Sequence, residues 1–136
     1  MARMQPVAAR LRSMLQSLRS FRFASALPQR YLGRHCTGRQ WRSAFPDATK
    51  ADIRQFLLGF VTAFGFLDDE KLKFGPGDPL RQIYRDLYPS RCMPDGLEFE
   101  TLAADLRTKH GIALGDLLSD TLTLGELFGH VQRSRA

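Results

Sequence analysis

Ile53, Phe56, Leu57, Phe60, Val61 and Phe64 fall at i, i+3, i+4, i+7, i+8 and i+11. At that spacing six large apolar side chains share one side of an α-helix, whereas an extended strand would scatter them over both faces. Thr49, with Asp52 three residues on, supplies a side-chain oxygen for the free amides of the first turn, and Gly65 supplies a left-handed stop. The spacing predicts a helix over 50–64 that must bury its aromatic stripe against something else. Nowhere does the chain alternate apolar and polar residues with period two, so the partner elements are helices and the fold class is all-α.

Four further segments carry helical signals. Leu80, Ile83, Tyr84 and Leu87 follow Asp78-Pro79 and predict a short helix over 79–88. Asp95 is a candidate cap for a helix over 96–110, with Leu97, Leu102, Ala103 and Leu106 on its buried side and Gly111 at its end. Ile112, Leu114, Leu117 and Leu118 form a short apolar crossing near 114–119. Thr123 and Glu126 are spaced as a capping box for a last helix over 124–132, where Leu124, Leu127, Phe128 and Val131 repeat at i, i+3, i+4 and i+7. The expected core is Phe56, Leu57, Phe60, Phe64, Leu102, Leu106, Leu127 and Phe128. Between 66 and 94, Pro76, Gly77, Pro79, Pro89 and Pro94 interrupt regular structure, and Asp68, Asp69 and Glu70 read as solvated charge at a helix end.

Charge divides the chain unevenly. Its net charge of +6 over 136 residues hides an N-terminal stretch, 1–46, with nine arginines, no lysine and no acidic residue. Residues 47–136 hold 11 basic and all 14 acidic side chains, net −3. Within the basic stretch Val7, Leu11, Met14, Leu15, Leu18 and Phe21 recur at helical spacing, with Ser13, Gln16, Ser17 and Ser20 on the other side. Three readings follow: a dispensable arm, a basic helix docked on the acidic domain or on an anionic membrane surface, or a mitochondrial targeting segment. Pro28, Gly33 and Gly38 interrupt any continuous helix, so the expected division is an arginine-rich arm, 1–46, and a helical domain, 47–136. On that division a chain beginning near Trp41 keeps its helical content. Phe21, Phe23, Tyr31 and Trp41 stand among the arginines as candidate base-stacking residues, but without a motif nucleic acid is the weaker expectation.

Cys36 and Cys92 are far apart without metal-ligand spacing, and no second ligand pair accompanies His35 and Cys36, so no metal site is expected. The cysteine usage fits a reducing, cytoplasmic setting, with a mitochondrial one as the alternative. No apolar run approaches the roughly 18 residues of a membrane span. His35, His110 and His130 lack any Ser, Cys or carboxylate constellation, so no enzyme is expected.

The order of a long amphipathic helix, a long loop, an acid-capped second helix ending in His110-Gly111-Ile112, a short crossing and a final T-x-x-E helix resembles the acyl carrier protein family, over about residues 48–132. Lys109-His110-Gly111-Ile112 resembles that family's helix-ending turn, and Thr123 to Val131 its last helix. The resemblance implies a four-helix bundle whose second helix begins with Asp-Ser-Leu and a further acid. Here those positions read Asp95, Gly96, Leu97 and Glu98. The family's serine takes a 4'-phosphopantetheine arm through its hydroxyl, where helix-terminal amides favour the phosphate. Gly96 keeps the amides and has no hydroxyl, and Ser90 lies six residues upstream beyond Pro94, so the cofactor is expected to be absent. The family also implies that Asp95, Leu97 and Glu98 contact a protein partner, a fatty-acid or polyketide enzyme. Glu100 and Asp105 add acidity there, while Thr101, Arg107, Thr108 and Lys109 dilute it. The functional expectation is a non-catalytic, acyl-carrier-like interaction module. The alternatives are a functional acyl carrier, or anionic-surface or nucleic-acid binding through the basic arm.

Overall fold

A computed structural model of the chain describes residues 27–88 and 97–135. These residues form α1 (Gln29–Leu32), α2 (Gly38–Ala44), α3 (Lys50–Phe64), a 3-10 segment (Asp68–Lys73), α4 (Leu80–Leu87), α5 (Leu97–His110), α6 (Leu114–Leu117) and α7 (Leu124–Ser134). The fold is all-α, and the only extended pairing among the described residues is one antiparallel bridge between Pro79 and Thr123.

Helix α3 ends where its sequence signals place it. Thr49 Oγ1 accepts the Asp52 amide at 3.0 Å. Gly65 turns left-handed at φ 79°, which lets Phe66 N–H reach back to the Val61 carbonyl at 2.8 Å. Helix α7 starts in the same way, with Thr123 Oγ1 accepting the Glu126 amide at 3.1 Å. Phe64 at the end of α3 meets Phe99 near the start of α5. Asp52 at the start of α3 shares a cleft with His110 at the end of α5, so the two longest helices run antiparallel. Seven of the eight expected core residues are buried. Phe56 is half-buried, its ring packed on Trp41 and Phe128.

The acidic run 68–70 does more than end a helix. Glu70 folds back so that its carboxylate accepts the Leu67 amide at 2.8 Å, capping the 3-10 segment. Asp68 pairs with Lys71 at 2.8 Å.

The expected division at 46/47 does not separate arm from core, because Leu27, Tyr31 and Trp41 are all buried in the same apolar cluster as α3, α5 and α7. Trp41 is fully enclosed by Phe45, Phe56 and Phe128, and its indole N–H donates to the Phe74 carbonyl at 2.9 Å. The Thr37 amide donates to the Leu72 carbonyl at 2.9 Å, and its hydroxyl lies within hydrogen-bond distance of the Leu72 and Phe74 carbonyls. Arg34 clasps Asp78 through both terminal nitrogens, at 2.5 and 2.9 Å, and its guanidinium lies over the Tyr31 ring. Tyr31 donates to Asp86 at 2.9 Å. Burial, together with that hydrogen bond, raises the phenol well above its ordinary pKa. Residues 27–45 are therefore a wall of the fold, tied to the 72–78 loop by side chains that neutralise or satisfy buried groups. The amphipathic pattern at 7–21 lies outside the described residues.

Candidate functional site: the start of helix α5 and the groove beside it

Asp95 and Gly96 lie outside the described residues; Leu97 and Glu98 open α5. Leu97 is 41% exposed, one of four large apolar side chains on the described surface. Glu98 turns the opposite way and is 5% exposed. Its Oε1 accepts the Tyr88 hydroxyl, and its Oε2 is buried with no hydrogen-bond partner among the described residues. Around this point Tyr84 packs on Phe99 at 4.5 Å between ring centroids, and Phe99 meets Phe64 at 5.7 Å.

The acidity expected of α5 is thus mostly withdrawn from its surface. Glu98 faces inward, and Asp105 pairs with Lys109 at 3.0 Å and sits against the bare backbone of Gly59, where an ideal Cβ would stand 3.2 Å from its Oδ2. Glu100 is left as the exposed acid of the helix. Leu97, Thr101, Ala104 and Thr108 follow at i, i+4, i+7 and i+11 and share one side of α5. Thr101, Ala104 and Thr108 line a groove of about 460 Å³ whose other wall is Leu58, Gly59, Thr62 and Ala63 of α3, with Gln55, Asp105 and Lys109 completing the lining. Leu58 is 42% exposed at its edge. Sequence reasoning passed over this wall. Its available signal was Leu58, a leucine next to the α3 stripe that the stripe's period does not use.

No hydroxyl at the described start of α5 is arranged to carry a phosphodiester. Thr101, one turn in, donates its hydroxyl to the Leu97 carbonyl at 2.8 Å. Glu98 itself yields a stability prediction. A buried carboxylate with one unpartnered oxygen is penalised by desolvation. Glu98→Gln keeps an oxygen for Tyr88 and removes the charge, so we expect stabilisation of about 1 kcal/mol by urea denaturation. A loss of similar size shows instead that the charge is needed.

Adjoining the groove, and sharing Gln55, Gly59, Asp105 and Lys109 with it, a second cleft of about 340 Å³ brings together Asp52, Asp105, Lys109, His110 and Arg135 over Phe56, Phe60 and Leu106. Asp52 is engaged by Arg135 at 2.8 Å, which holds its carboxyl below the usual range. Burial, then the positive charge of Arg135, lowers the His110 imidazole; Asp105 opposes this and Lys109 adds to it. Both neighbouring carboxylates are committed to cations, and no Ser, Thr or Cys lines the cleft. The unfolded chain therefore takes up a proton near pH 6.5 that the folded chain resists. His110 costs stability as pH falls through that value. In His110→Gln the urea midpoint is expected to fall less between pH 7.5 and 5.5, about one unit either side of the ordinary imidazole pKa.

Comparison with protein-family models, with curated proteins and with solved structures finds no match to this chain.

Proposed function

We propose that the chain is a non-catalytic, acyl-carrier-like module that docks a protein partner on the Leu97 end of α5 and the groove beside it. The observation that carries this reading is an exposed leucine at the helix start, on the same side of α5 as a groove whose charged members, Asp105 and Lys109, are paired with each other. Such a surface suits a partner that inserts apolar side chains and gains little from long-range charge. The helix order supports the carrier-like part of the reading: a capped long α3, a long connection with a short α4, then α5, a brief α6 and a capped α7. A fatty-acid or polyketide enzyme is the class of partner this likeness proposes.

Two measurements test it. Incubation with a phosphopantetheinyl transferase and coenzyme A should leave the protein's intact mass unchanged, while Gly96→Ser gains about 340 Da, the mass of the arm. The same gain on the unaltered protein restores the functional-carrier reading and overturns ours. Binding to a ketosynthase, followed by calorimetry, should weaken roughly tenfold or more for Leu97→Asp if this leucine is a buried anchor. Equal binding by both proteins removes the proposed docking surface.

A further inference from the structure

We infer that the exposed side of α5 pairs with the same side of a second copy of this chain, the two helices antiparallel about a two-fold axis beside Ala104. Glu100, Ala104 and Arg107 fall at i, i+4 and i+7 and so share one side of the helix. All three are exposed. Leu97, 41% exposed, extends the same side toward the helix start, seven residues before Ala104.

Most charges near this side are already committed. Asp105 pairs with Lys109, and Glu98 is turned inward to Tyr88. Glu100 and Arg107 are left over: neither makes an ion pair or a side-chain hydrogen bond among the described residues. They stand about 10 Å apart along the helix axis, too far to meet each other.

One charge of each sign, set either side of a small central residue, is complementary to itself. A two-fold rotation that runs the helices antiparallel brings position 100 to the level of 107, so Glu100 of each copy meets Arg107 of the other. A parallel pair would set Glu100 on Glu100 and Arg107 on Arg107, and like charges oppose it. The short side chain of Ala104 lets the two axes approach to about 8 Å, within reach of a Glu–Arg pair. Each Leu97 then falls near Thr108 of the second copy. The same alternation disfavours a uniformly anionic partner such as a phospholipid surface or a nucleic acid, because Glu100 lies between Leu97 and Ala104 on the side that would face it. The pairing does not rest on enzyme docking. Both use the Leu97 side of α5, however, so a second copy and a ketosynthase exclude each other.

Sedimentation equilibrium of the full-length protein tests the inference without any enzyme present. A monomer–dimer equilibrium is expected at concentrations up to about 1 mM, the range of weak complexes, and it should weaken as salt rises. Glu100→Arg and Arg107→Glu each turn two attractive contacts into two repulsive ones, so either variant alone should dimerise about tenfold or more weakly. Mixed in equal amounts, the two variants should associate again, because every 100–107 contact between them joins opposite charges. The double variant, with both charges exchanged, should also recover. Recovery in the mixture shows in addition that both single variants are folded. A protein that stays monomeric throughout, a dimer indifferent to either substitution, or a mixture that fails to associate overturns the inference.

Discussion

Removal of residues 1–40 is expected to abolish the cooperative unfolding transition, while removal of residues 1–26 preserves it. The first truncation takes away Tyr31 and Thr37, both buried, and the Arg34 partner of Asp78. Losing a buried aromatic side chain costs about 3–5 kcal/mol. Asp78, only 9% exposed, keeps the Gly75 amide at 2.7 Å and loses both charge-assisted bonds to Arg34, for a further cost of about 1–3 kcal/mol. The Leu72 and Phe74 carbonyls lose Thr37, and the Phe74 ring, which packs on Phe60 and Phe66, loses its contact with Tyr31. The sum approaches the whole stability of a domain of this size, about 5–15 kcal/mol. The shorter truncation removes none of these groups. A sharp thermal transition by circular dichroism in the chain beginning at Trp41 would show that α1 is an accessory, and the division at 46/47 would stand after all.

That division illustrates what was legible in the sequence and what was not. Helices α3 and α7 can be read directly because each end has its own chemistry, Thr49 and Thr123 as caps and Gly65 as stop, and the apolar period runs unbroken between. Helix α4 is legible from Pro79 and four apolar residues at the right spacing. By contrast, Tyr31 and Trp41 sit on helices of four and seven residues, too short for a period to appear. Arginines surround them and mask the local hydrophobicity. Their place in the core depends on the 72–78 loop, whose carbonyls and Asp78 are presented by tertiary structure alone. A segment stabilised chiefly by contacts distant in sequence leaves no local signature.

The candidate site shows the same limit at a finer scale. Leu97 is exposed, whereas Glu98, expected beside it on a partner-facing surface, is turned inward to Tyr88. One helical step turns the side chain by about 100°, enough to carry it from an exposed to a buried side. The start of α5 fixes which of the two faces out, and the sequence places that start only to within a residue or two. Asp105 adds surface acidity by its sequence position, but Gly59 on the facing helix leaves room for its carboxylate to lie against α3.

A second glycine, Gly125 in the first turn of α7, carries the other large expected effect: Gly125→Val should destabilise the fold by about 3–4 kcal/mol. Its amide donates to the Pro76 carbonyl at 2.9 Å, and an ideal Cβ there would lie 2.7 Å from that oxygen and 2.9 Å from the Pro76 Cβ. No rotamer relieves a clash made by the first side-chain atom, so the backbone around Pro76 must move. That backbone is pinned on both sides: Leu124 N–H donates to the Asp78 carbonyl at 2.9 Å, Leu80 N–H to Leu122 at 2.8 Å, and Asp78 is clasped by Arg34. Overpacking of this kind costs about 1–3 kcal/mol, and each backbone hydrogen bond broken adds about 0.5–1.5. Replacing glycine inside a helix returns at most about 1 kcal/mol, too little to reverse the sign. Gly115→Ala is the contrast, because an ideal Cβ there meets nothing within 4 Å. It should be neutral or stabilising by up to about 1 kcal/mol. Urea denaturation of the two variants side by side separates a close approach of two backbones from a general intolerance of substitution, and a Gly125 variant as stable as the Gly115 one would mean that the 76–80 and 122–125 segments do not meet as described.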